Sequence, residues 1–66
     1  MKRVMFKEVK SGQVFYDYTV AHAVYIKITS EAFPDNNKAL RVLSGEIEEF
    51  DLDELVEVGL SLEITR

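Results

Sequence analysis

At 66 residues and 7.6 kDa the chain holds one domain at most, and a domain of this size buries only about 60% of the surface its unfolded form exposes. Its 47% hydrophobic content excludes a disordered polar tail, and the absence of cysteine excludes disulfide staples, thiolate zinc sites and cysteine nucleophiles. A net charge of -4 and a pI near 4.8 argue against duplex DNA or an anionic membrane as partner, and no apolar run approaches the roughly 18 residues of a bilayer span or resembles a secretory leader.

Charge is unevenly spread. Residues 1–10 carry Lys2, Arg3, Lys7 and Lys10 against Glu8 alone, whereas Glu46, Glu48, Glu49, Asp51, Asp53, Glu54 and Glu57 fall within residues 46–58, which contain no Lys or Arg.

The dominant periodicity is two. Val4-Met5-Phe6 reads as a short strand or extended arm leading to a turn at Ser11-Gly12, where glycine can take positive φ without steric cost. Residues 14–20 read as a strand. Residues 21–29 form a second, with Val24, Ile26 and Ile28 on one face and Ala23, Tyr25 and Lys27 on the other. Pro34-Asp35-Asn36-Asn37 is a loop. The runs 38–43 and 46–50 flank Ser44-Gly45, the pattern of a hairpin. At 51–55 the sequence predicts a turn or a single helical turn, with Asp51 as cap and Glu54 closing a capping box. Leu60, Leu62 and Ile64 then alternate with Ser61, Glu63 and Thr65, predicting a final half-buried strand after Gly59.

Five to six short strands and no crossover helix define an all-β chain, expected to curl into a single small antiparallel barrel over residues 1–66. Closure would leave no long exposed edge. The spacing Phe6-x-x-Val9-x-x-Gly12-x-x-Phe15, the strand Val24–Ile28, Asn37-x-Ala39, Ser44-Gly45-Glu46 and Phe50-Asp51 together resemble small phage-encoded β-barrel proteins of SH3-like form. That resemblance covers residues 6–58. It implies a fold and a viral or mobile-element origin, brings no functional residues with it, and stops at Gly59, beyond which the extra strand is a candidate for assembly.

Catalytic chemistry is poorly supplied. His22 is the single histidine and reads as a strand-end residue, while the serines sit at turns or on a solvent-facing strand position, without nucleophile-elbow context. Paired carboxylates abound, but a glycosidase-type pair needs a cleft that this chain has little wall to build. Asp51-x-Asp53-Glu54 lacks the spacing and central glycine of a calcium loop. The expectation is a non-enzyme without cofactor or metal.

Two surfaces remain. The acidic stretch, with Glu46, Glu48, Glu49, Asp51 and Asp53 as its candidate contacts, reads either as a solvated face or as a ridge that steers a basic protein partner. Tyr16 and Tyr18 share a strand face with Val14 and Val20, opposite Phe15. Were Phe15 inside, the tyrosines would form an interaction surface; the inverse parity, or burial of both faces, is equally open. Lys27 interrupts an apolar strand and reads mainly as a snorkelling lysine whose ammonium reaches water, with anion or nucleotide contact as the alternative.

The sequence thus predicts a soluble, cytoplasmic, non-enzymatic interaction module of phage type, acting in the host cytoplasm if viral. Its most concrete form is an inhibitor of a host protein. The alternatives are an oligomeric barrel that captures a nucleotide at subunit interfaces through Tyr and Lys27, and a self-associating virion or assembly accessory protein.

Overall fold

The computed structural model describes residues 2–20 and 23–59. Within them are six strands: β1 (Lys2–Met5), β2 (Val14–Asp17), β3 (Ala23–Ile28), β4 (Lys38–Arg41), β5 (Ile47–Glu49) and β6 (Leu55–Val58). One 3₁₀ turn, Phe6–Glu8, follows β1. All pairings are antiparallel, in a single sheet of order β1-β6-β2-β3-β4-β5.

The all-β class and the antiparallel sheet match the expectation; closure does not. Among the described residues no pairing joins β1 to β5, so the sheet keeps two edges. Each edge strand is short. At β1 the Glu8 carboxylate also accepts the Met5 N–H at 3.0 Å, occupying a backbone donor that an added strand would need.

Local chemistry explains where the strands stop. β2 ends at Asp17 because its carboxylate accepts both the N–H (3.0 Å) and the hydroxyl (2.6 Å) of Thr19, folding residues 18–20 into a turn where a longer strand was expected. The β4–β5 connection is longer than the expected two-residue turn. Gly45 adopts φ 75° and donates to the Arg41 carbonyl at 2.8 Å, so that Val42 and Leu43 join Ser44 and Gly45 in the loop. At 51–55 a turn forms without a helix: Glu54 N–H donates to the Asp51 carbonyl at 3.1 Å, and its carboxylate accepts Asp51 N–H at 3.4 Å. The single helical turn lies at Phe6–Glu8 instead. β6 follows, with Val56 and Val58 inside and Leu55 exposed. The sequence reading passed over it in favour of a strand at 60–65, which lies outside the described residues, as does His22.

The inner face of the sheet carries an aromatic cluster. Phe6, Phe15, Tyr25 and Phe50 are each at most 5% exposed. Phe50 lies within 5.0–5.3 Å, centroid to centroid, of the other three rings. It stacks on Phe6 and meets Phe15 and Tyr25 edge to face, both favoured aromatic geometries. Val9, Ala39, Val56 and Val58 complete the core.

Candidate functional site

Strand parity decides what each candidate residue can reach. Phe15 is fully buried while Val14 is 43% exposed and Tyr16 half-buried. Of the two open parities, the structure therefore has Phe15 inside and Tyr16 on the outer face. Cross-strand register extends that face: Val14 pairs with Ile26, Ile26 with Leu40 and Leu40 with Ile47, while Tyr16 pairs with Val24. An apolar row thus crosses β2, β3, β4 and β5 on the side away from the core. Its two ends, Val14 and Ile47, are exposed, the latter by 51%. The β4–β5 loop adds Val42 and Leu43, with Leu43 93% exposed. Tyr18 belongs to the turn after β2, where the Arg3 guanidinium lies 4.1 Å above its ring.

The acidic ridge is largely engaged with the chain's own groups. Glu48 accepts the Tyr25 hydroxyl at 2.9 Å and lies 3.7 Å from Arg41. Glu49 accepts from Asn37 at 3.0 Å and faces Lys38 at 4.0 Å. Asp53 pairs with Lys7 at 3.3 Å, and Glu57 with Arg3 at 3.3 Å. The Glu46 carboxylate is exposed and accepts only the Ser44 hydroxyl, at 3.4 Å, the Asp51 side chain is exposed, and neither has an ion pair among the described residues. Two of the five acidic candidates therefore offer a charge that no cation among the described residues holds. The sequence concealed this because the neutralising cations come from β1, the 3₁₀ turn and β4, and only strand register and chain return set them against the ridge.

Lys27 departs most from expectation. Its stem was expected to carry the ammonium to water, yet the residue is only 5% exposed. The same parity that buries Tyr25 turns Lys27 inward two residues later. Its Nζ donates to the Phe6 carbonyl at 3.2 Å and lies 4.6 Å from the centroid of the Phe6 ring. Burial pushes its pKa below the usual lysine value. Burial also dominates at Tyr25, reinforced by the hydrogen bond and charge of Glu48, and its phenol is pushed up to about 12.

Among the described residues, Lys27 is the one buried side chain lining a cavity of about 390 Å³, whose remaining lining includes Lys7, Ser11, Thr29, Asp35 and Asn36. Tyr16 and Tyr18 do not line it. The structure thus separates the aromatic and lysine candidates that sequence reasoning had combined into one nucleotide site: Tyr16 lies on the outer face and Lys27 on the inner.

Among the described residues no group of three or more His, Asp or Glu side chains is placed to hold a metal ion, and no helix is long and apolar enough to cross a membrane. In comparisons with known proteins, the chain matches no family model, no curated protein and no solved structure.

Proposed function

We propose that this chain is a non-enzymatic protein-interaction module whose contact surface is the outer face of β2–β5, bordered by the free carboxylates of Glu46 and Asp51. The observation that carries this reading is the apolar row Val14–Ile26–Leu40–Ile47, with Tyr16 and Val24 beside it, on a sheet face that in a small soluble domain is ordinarily polar. Aromatic and apolar side chains ringed by charge are the composition of a protein-binding patch. An SH3-like form of phage type, its sheet left open between β1 and β5 and directed at a host protein, is the specific form we favour. The carboxylates at its border would then speed encounter with a basic partner more than they would deepen affinity.

Self-association is the second reading, and a separate feature supports it. One sheet edge, β1, carries Lys2 and Arg3, and the other, β5, carries Glu48 and Glu49, so head-to-tail contact between copies would bring opposite charges together. An assembly accessory protein would use such contacts.

The exposed ends of the row allow a test that spares the core. Val14→Lys with Ile47→Lys should abolish partner capture, whereas edge-to-edge association should appear as mass above the monomer in sedimentation equilibrium that falls as salt is raised. Glu46→Lys with Asp51→Lys should slow association mainly at low salt. Capture that survives the apolar substitutions unchanged would refute the outer-face reading.

A further inference from the structure

We infer that the cavity lined by Lys27 is a binding site for a small phosphate monoester, with the Lys27 ammonium as its anchoring cation. This stands apart from the outer-face reading and holds whether or not that face binds a protein.

The argument begins with an inversion of ordinary electrostatics. Exposed cations gain little from carboxylate partners, whereas a buried one needs them. In this chain Arg3, Lys7, Lys38 and Arg41 each have a carboxylate within 4.0 Å, while the buried Lys27 has none among the described residues. An ammonium carries three N–H donors. Here one goes to the Phe6 carbonyl, which also accepts the Val9 N–H at 3.0 Å, and no described protein acceptor takes the other two. The Phe6 ring covers part of the charge without accepting a full hydrogen bond. Burying unmet donors on an uncompensated cation is among the costlier things a domain this small can do.

The cavity beside it supplies what is missing. Ser11 and Thr29 hold their hydroxyls 2.8 Å apart on its lining, Asn36 adds an amide, and Lys7 adds a second ammonium whose exposed pair with Asp53 is readily exchanged. Several donors of different kinds around one buried cation match a tetrahedral oxyanion, which has acceptors in many directions. Asp35 sets the other half of the ligand. Its carboxylate on the same lining disfavours an anion that fills the space alone and accepts a hydrogen bond from a hydroxyl or amino group. At about 390 Å³ the cavity has room for such a group as well as the phosphate.

The test is an NMR titration of the full chain with AMP, with inorganic phosphate, and with adenosine and acetate as controls. AMP, and more weakly phosphate, should give saturable shifts at the Gly12, Thr29 and Asn36 amides and at the Lys27 side chain, and AMP should raise the melting temperature. Lys27→Met should retain the ring-shifted resonances of the aromatic cluster and weaken AMP by at least about tenfold. If that variant does not fold, Ser11→Ala, at an exposed position, should weaken AMP at least about threefold. The proposal is overturned if AMP up to about 10 mM gives no saturable shift, if Lys27→Met folds and binds as well as the parent, if phosphate shifts gather instead around Lys2, Arg3 and Lys10, or if acetate or adenosine alone binds as tightly as AMP.

Discussion

Tyr25 and Lys27 sit two residues apart on the inner face of β3, and both are almost fully buried. Their polar tips meet opposite fates. The Tyr25 hydroxyl donates to Glu48, which is steadied in turn by Arg41, and the ring is flanked by Phe15 and Phe50. The Lys27 ammonium has one carbonyl, the face of one core ring and a cavity. At the first position the chain satisfies its own polar group and locks two strands to a third. At the second it buries a charge that no carboxylate among the described residues matches, although the strands and the 3₁₀ turn place four other cations against carboxylates. The contrast separates a structural end of the inner face from an end that is arranged to receive something.

The structural end should be the easier to break. Phe15 touches Phe6, Tyr25 and Phe50, and no atom of it is exposed. Phe15→Ala should cost about 3–5 kcal/mol. In a domain of this length each kcal/mol moves the melting temperature by about 4–8 °C, so the cooperative thermal transition should fall by tens of degrees or vanish. A shift of only a few degrees would mean that the four rings do not act as one core.

A finer cut removes the Tyr25 hydroxyl alone. Tyr25→Phe keeps the stacked ring and deletes a hydrogen bond to a charged acceptor, at a cost of about 1.5–3 kcal/mol at neutral pH. It also changes the alkaline limb of stability. Because the native phenol titrates near 12 and the unfolded one near 10.0, the unfolded chain loses its proton first as pH rises. Protons bound to the native state then exceed those on the unfolded state, so this group's contribution falls between pH 10 and 12. Urea denaturation across that range should show the decline in the parent and not in Tyr25→Phe. A decline of equal slope in both would assign it to other groups.

These two ends were unequally visible beforehand. Period-two patterning revealed β2, β3 and the β4–β5 hairpin because their side chains alternate within short, bounded runs. It missed β6, where Val56 and Val58 alternate with Leu55 and Glu57 so that one outward position is apolar and the other charged. Asp17 ended β2 early through a side-chain bond to Thr19 that hydropathy does not register. The candidate surfaces show the same limit. Alternation gave the two sides of β3 but not which of them met the core, since Val24, Ile26 and Ile28 are the more apolar set and yet lie outside. The four-ring cluster decided it: Tyr25 fits against Phe15 and Phe50, and Lys27 is carried inward with it. Nor could local sequence reveal that Glu48, Glu49 and Asp53 are met by Arg41, Lys38 and Lys7, because those pairings depend on register and chain return.

Lys27→Met is the smallest perturbation and the sharpest test of the contrast. Methionine has similar length, fills the same space and removes the buried charge, while the Phe6 carbonyl keeps its bond from the Val9 N–H. The substitution should leave stability at neutral pH unchanged or raise it by up to about 1 kcal/mol, the opposite sign from Tyr25→Phe. The pH dependence is opposite as well. Burial holds the native ammonium's pKa below the 10.5 of the unfolded chain, so between the two values the unfolded state binds more protons and stability rises with pH. The charged groups sharing the lysine's surroundings are Lys7 and Asp35, of opposite sign, beside the neutral Phe6 carbonyl, and burial is what lowers the lysine's proton affinity. The rise should be complete by about pH 10.5 and absent from Lys27→Met, leaving only the Tyr25 decline above it. A variant that instead melts several degrees lower at neutral pH would mean that the ammonium's contacts with Phe6 outweigh its burial, and Lys27 would then belong to the structural end of β3 along with Tyr25.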